Sequence, residues 1–344
     1  MIRVETIKVA LPLKKTFRVA KGEARDKVNL ITILNNRYGG EAAASVYYGP
    51  TITELEADLK KGIERLTKRR SLDLQVLEEI GAYDIHPIAR SALIGMVLNY
   101  LSGESGRYPW EIVSLGAPVG IRNSITVSIG EPVEVIEAIR SSDRPIIKVK
   151  MGGQYDAEIV HALQDAAGGR EVRVDANGGW TSAQAEEYIH HLDNLGIRVV
   201  EQPTGPETIA DWPHLKGKHE DVELILDEGL NTLQDYEKHS SHCDGINIKM
   251  EKSGGIIEAA KIARRAREDK KKVMLGCMVE SSVGIAQSVY MSSLADYHDL
   301  DAPQLLEDDI AQGIIYDRDT IHVDREIIGG PSLKRDVVEK YIRK

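Results

Sequence analysis

From residue 124 onward the chain repeats one pattern eight times: a short β-branched or apolar run, then a helix-forming stretch. The runs fall at 124–129, 145–150, 171–175, 197–201, 222–228, 245–249, 272–280 and 297–301. Between them, Thr181 with Gln184 three residues on forms a capping box, and the segment 256–270 ends in a cationic turn suited to a helix C-terminus. Strands joined through helices run parallel, so eight such units predict an α/β fold, a (β/α)8 barrel. A doubly wound sheet fits the alternation too, but it would place a glycine-rich loop after its first strand. Ser128-Ile129-Gly130-Glu131-Pro132 is not such a loop.

The first 120 residues read as a separate α+β unit. Segments 2–11 and 28–34 look like strands, Asn35-Asn36 and Gly39-Gly40 mark turns, and Thr53 with Glu56 predicts a capping box. Leu55, Leu59, Ile63 and Leu66 share one helical face, and a second helix is expected over 89–101. The predicted division is therefore residues 1–120, a barrel over 121–313, and a tail over 314–344 that folds back onto the first unit. With 344 residues, 42% of them hydrophobic, there is material for about two packed domains.

Composition excludes several classes of function. No run approaches the ~18 uninterrupted apolar residues of a membrane span. A net charge of −10 opposes a nucleic-acid footprint. Two cysteines, Cys243 and Cys277, cannot staple a chain this long, and they suit a reducing cytoplasm. A small-molecule substrate is expected; a homo-oligomer is compatible with the composition but is not specified by it.

The chemistry sits at the C-terminal ends of the predicted strands, the face that carries the active site of barrel enzymes. Asp175, Glu201 and Asp227 end strands three, four and five at intervals of 26 residues, one βα unit each. Three carboxylates without His or Cys select a hard divalent cation, Mg²⁺ with Mn²⁺ as substitute. Lys148 and Lys150 end strand two and Lys249 ends strand six, four strands away. Like charge from Lys148 and from a metal disfavours an ammonium at position 150, as a general base requires. A cation that stabilises an enediolate, with one base on each side, allows an α-proton to leave one face and return to the other. That reaction is epimerisation or racemisation.

Lys148-Val149-Lys150, Val174-Asp175-Ala176-Asn177, Val200-Glu201-Gln202-Pro203, Leu226-Asp227-Glu228 and Asn247-Ile248-Lys249 together resemble the muconate-lactonising subgroup of the enolase superfamily. The resemblance covers nearly the whole chain and implies a modified barrel under an N-terminal α+β capping domain. Asp299-Leu300-Asp301 matches the Asp-x-Asp of its dipeptide epimerases of the Ala-Glu type, where the pair binds a substrate α-ammonium. By the same resemblance Thr126, Cys277 and Met278 border the substrate. Loops around 16–27 and 45–52 cover the pocket, so Arg18, Lys21, Arg25 and Tyr47 are candidates for setting side-chain preference. Whether that preference is acidic or apolar stays open. The competing expectations are an N-acylamino-acid racemase, an o-succinylbenzoate synthase or a muconate cycloisomerase, and more remotely a non-catalytic metal-binding barrel.

Overall fold

The computed structural model describes residues 2–19, 22–45 and 49–343. Its first unit is built on a long antiparallel hairpin, Val4–Val19 and Gly22–Leu34, in register from Val4 opposite Leu34 and irregular between Pro12 and Phe17. The turn at Asn35 and Asn36, both at positive φ, leads into strand Tyr38–Ala42, which pairs back on the hairpin. Ile342–Arg343 adds a short strand on the other edge, beside Lys8 and Val9. Three helices, Ile52–Thr67, Leu74–Gly81 and Pro87–Ser105, complete the unit.

The first helix starts two residues before the sequence reading placed it. Thr51 and Glu54 form the capping box, because Glu54 reaches back to the Thr51 backbone N–H at 2.7 Å. Helix Pro87–Ser105 is apolar on nearly all sides, since it lies between the first unit's sheet and the barrel. Its close approach needs Gly40: a Cβ there would stand 2.0 Å from the Ala92 carbonyl oxygen.

All eight expected barrel strands form, and they run parallel in chain order: Ile125–Val127, Ile146–Lys150, Glu171–Asp175, Val199–Glu201, Glu223–Leu226, Gly245–Ile248, Lys272–Leu275 and Tyr297–His298. A parallel bridge between Asn123 and His298 joins the first strand to the eighth and closes the ring. Part of the tail, Ile314–Asp317 and Thr320–Val323, forms a hairpin that pairs with Ile121–Arg122 at the barrel's start, while the later part, with Leu333, Val337, Val338, Tyr341 and the strand Ile342–Arg343, packs on the first unit's hairpin. Among the described residues no helix is long and apolar enough to cross a membrane.

Strand alternation explains what the barrel encloses. Val149, Val174, Val200, Leu226 and Ile248 are fully buried in the main core, while Lys148, Lys150, Asp175 and Glu201, at alternate positions, project to the other face of the sheet. Register sets Lys150 beside Asp175, and Asp175 beside Glu201. Two residues back along their strands, Val199 and Ile225 pack with Met274 in a separate apolar plug beneath Glu201 and Asp227.

Candidate active site

The row of charges at the strand ends is almost completely removed from water: Lys148 is 1% exposed and Asp175 and Asp227 are 0% exposed. Charges so placed must be paired. Lys148 Nζ lies 3.0 Å from Asp175 Oδ2, 2.7 Å from Glu201 Oε2 and 2.6 Å from Asp299 Oδ2. Lys150 donates to the same Asp175 Oδ2 at 2.6 Å. Across the barrel Lys249 donates to Asp227 Oδ2 at 2.7 Å, and Lys252, one helical turn on, donates to Asp227 Oδ1 at 2.5 Å.

Local backbone holds these groups in place. The Asn177 N–H, on a residue at φ +46°, donates to Asp175 Oδ1 at 2.9 Å. Gln202, at φ +37°, accepts from the backbone N–H groups of Asp227 and Glu228, both at 2.9 Å. Asn247 Nδ2 donates to Glu201 Oε1 at 2.8 Å.

Burial works to raise every carboxyl here, and the outcome depends on the neighbours. For Asp175 the adjacent Lys148 and Lys150 outweigh burial and hold the carboxyl below its usual range; Lys249 and Lys252 do the same for Asp227. Glu201 is pushed up to about 8 by burial and by the charges of Asp175 and Asp227. Glu228 rises to about 7 through burial and Asp227, and Asp301 to about 6 through burial and Asp299.

The donor set fits a divalent cation. As the side chains stand, no three acids, histidines or cysteines among the described residues are grouped to hold a metal ion, because ammonium groups engage the inner carboxylate oxygens. Yet six carboxyls (Asp175, Glu201, Asp227, Glu228, Asp299, Asp301) face four lysines (Lys148, Lys150, Lys249, Lys252), two negative charges in excess when all are ionised. Glu201, pushed upward by burial and by the charges of Asp175 and Asp227, is an acid such an ion would return to the charged form. Glu228 Oε2 and Asn177 Oδ1 are also buried without a hydrogen-bond partner.

Above this floor lies a pocket whose walls include Lys150 and Lys249 together with Thr126, Cys277, Met278, Asp299 and Asp301. Asp299 accepts from Ser124 Oγ at 2.8 Å as well as from Lys148; Asp301 accepts the Thr126 N–H at 2.7 Å. Lys148 itself does not line the pocket and lies beneath it, among the acids. The hairpin roofs the pocket with Phe17, Glu23, Ala24 and Lys27. Of the lid candidates, Arg18 is held by Glu23 at 3.1 Å and Arg25 is exposed, so neither lines the pocket. Lys21 and Tyr47 lie outside the described residues.

The profile of the family described as enolase C-terminal domain-like matches residues 133–326. The chain belongs to this enolase-like family. It is 31% identical over 327 residues to an L-Ala-D/L-amino acid epimerase of Maribacter sp., covering 91% of this chain and 94% of that protein. Among solved structures it resembles the dipeptide epimerase from Cytophaga hutchinsonii complexed with Mg and the dipeptide D-Ala-L-Val, with a TM-score of 0.89, 25% identity, and coverage of 99% of this chain and 97% of that one. A substrate-liganded L-Ala-D/L-Glu epimerase from Bacillus subtilis gives a TM-score of 0.86 at 26% identity, covering 96% and 98%.

Within the enolase-like barrel the sequence reading missed Lys252, Gln202 and Asn247 as parts of the site. Only Lys252 had a usable signal: three residues after Lys249, it falls on the same side of a helical turn.

Proposed function

We propose that this enolase-like chain is a Mg²⁺-dependent dipeptide epimerase, an isomerase that inverts the α-carbon of the second residue. The observation that carries this reading is the presence of two lysine ammonium groups, Lys150 and Lys249, on separate walls of one pocket above a carboxylate-lined floor. The named activities of the relatives support it. Asp175, Glu201 and Asp227 would hold the cation, and Mn²⁺, which takes the same oxygen donors, would replace it. When bound, the cation neutralises the substrate carboxylate, onto which charge moves as the α-proton leaves.

The remaining work belongs to the side chains. One lysine, in its neutral form, takes the α-proton from its own side, and the other, as an ammonium, returns a proton to the opposite face. Which of them begins depends on the configuration of the substrate. Asp301, with Asp299 behind it, binds the free α-ammonium and so fixes the α-carbon between the two amines. Phe17, Ala24 and Lys27 of the roof meet the substrate side chains. Both cysteines are unbridged, which supports a reducing cytoplasm as the place of action.

The test is α-deuterium uptake from dipeptides in D2O. It should require Mg²⁺, fall sharply in Asp301→Asn, and in that variant fall much less for N-acyl amino acids. Equal loss with both substrate classes would remove the ammonium role and favour an N-acylamino-acid racemase. Absence of uptake from any dipeptide or N-acyl acid would favour a binding protein.

A further inference from the structure

We propose that Lys252 is a positioning residue for Lys249, the counterpart across the barrel of Lys148 beside Lys150. The inference rests on the reading of Lys249 as one of the two proton-transfer groups. Each wall of the pocket holds a carboxylate bound by two lysines. On one wall Lys148 and Lys150 share Asp175 Oδ2; on the other, Lys249 and Lys252 take the two oxygens of Asp227, Oδ2 and Oδ1. In each trio one lysine lines the pocket and the other is sealed beneath it.

Lys252 belongs to the fully buried turn Met250–Ser253, which packs against helix Pro87–Ser105 and ends at Gly254 in the left-handed conformation. It is 4% exposed. Besides Asp227 Oδ1, its ammonium reaches the Asp227 carbonyl oxygen at 2.7 Å and the Asn247 carbonyl oxygen at 3.4 Å. It therefore grips the side chain and the main chain of one residue together. With Oδ1 so held, Asp227 presents Oδ2 to Lys249 at a single fixed position. Without Lys252, Oδ1 would be a buried, unpaired acceptor, and its nearest remedy is rotation onto Lys249, which draws that amine off the reacting carbon.

The two sealed lysines differ in reach. Lys148 contacts Asp175, Glu201 and Asp299, so its loss disturbs the whole floor, whereas Lys252 grips Asp227 and feels the charge of its neighbour Glu228, both at the end of one strand. Its removal should therefore act on one side of the reaction. A role in folding alone would weaken both sides together.

The experiment compares α-deuterium uptake from the two epimers of one dipeptide, each supplied separately in D2O with Mg²⁺, for wild type, Lys150→Met, Lys249→Met and Lys252→Met. Lys249→Met identifies the epimer whose α-hydrogen faces strand six. Lys252→Met should slow uptake from that epimer by up to about 100-fold, the effect of a misplacement near 1 Å, and from the other by less than about 3-fold. Equal losses, no loss, or the pattern of Lys150→Met would overturn the proposal. Lys252→Gln, which keeps two N–H donors, should give an intermediate bias and serves in place of Lys252→Met if that variant does not fold.

A crystal structure of Lys252→Met without substrate or divalent cation supplies a readout independent of turnover. Asp227 should rotate until both of its oxygens lie within hydrogen-bond distance of Lys249 Nζ; an unmoved Asp227 overturns the proposal. If wild type exchanges no dipeptide α-hydrogen, the functional reading fails, and the crystal comparison still decides the role of Lys252.

Discussion

Two clusters of buried acids lie in this molecule, and they have met the same cost in opposite ways. At the barrel floor, Asp175 and Asp227 are surrounded by lysines and stay ionised well below the usual range. Between the first unit and the barrel, Glu41, Glu251 and Glu280 are equally buried, at 2% exposure or less. Glu41 accepts from the backbone N–H groups of Ser281 and Gly284, from Ser281 Oγ and from Asn29 Nδ2. Burial pushes Glu41 up to about 7; burial also raises Glu251, and with the adjacent Glu251 charge it lifts Glu280 far above the ordinary range. Burial alone therefore does not make a carboxyl an ionised ligand. Two ammonium groups on one carboxylate do, as at Asp175 and Asp227, whereas Glu201, which meets Lys148 beside two charged acids, is still pushed up. In the second cluster Glu41 is met by neutral donors and ties two parts of the fold together.

The sharpest way to break this contrast is to remove an amine that meets substrate. Lys150→Ala and Lys249→Ala should each lower epimerisation roughly 10²–10⁴-fold, followed by separating the diastereomers, while Glu280→Gln lowers it far less. A comparable loss in Glu280→Gln would make the two clusters one. Next, Lys148→Met leaves three floor acids without their common partner and should cost about 3–5 kcal/mol of stability in urea. An unchanged midpoint would mean that the floor is balanced by other means.

The joint cluster is sharpened by pH. Glu41 ionises near 4.5 unfolded and near 7 folded, so between those values the folded chain holds the extra proton. Stability should be full below about pH 4.5 and decline as pH rises toward 7, by up to ~3 kcal/mol for this group. Replacing Glu41 with Gln should flatten that part of the denaturation profile, and a slope that persists would place the proton elsewhere. The smallest effect concerns the roof. Burial lowers the pKa of Lys27, and no described residue pairs with it. Lys27→Met should reduce kcat/KM for dipeptides with an acidic second residue about 10-fold, worth ~1.4 kcal/mol, and spare apolar ones. Equal effects on both would remove Lys27 from substrate recognition.

The barrel and its floor were legible because their signals are local. Each strand end carries its charge within a few residues of a β-branched run, and the interval of 26 residues brings Asp175, Glu201 and Asp227 side by side whatever the loops do. The pairings were not legible. That Lys252 grips Asp227, and that Gln202 holds the backbone of residues 227 and 228, depends on how one strand end meets the next. Glu41 directly follows Gly39-Gly40, read as a turn, and its burial follows from a strand wedged under residues 281–284, some 240 positions away. Arg18 and Arg25 share a charged hairpin with Lys27, and composition does not say which long side chain turns inward and which keeps its head in water.

The apolar plug of Val199, Ile225 and Met274 has a consequence for isotope experiments. With hydrocarbon beneath the floor acids, the pocket that holds both amines lies under the hairpin roof, and exchange of their hydrogens with the medium is expected to run through that mouth. Since the abstracted hydrogen can return only to the face it left, the share of re-formed starting epimer that carries medium deuterium then reports how often the hairpin parts from the rim during a single turnover, making isotopic washout a clock for the roof.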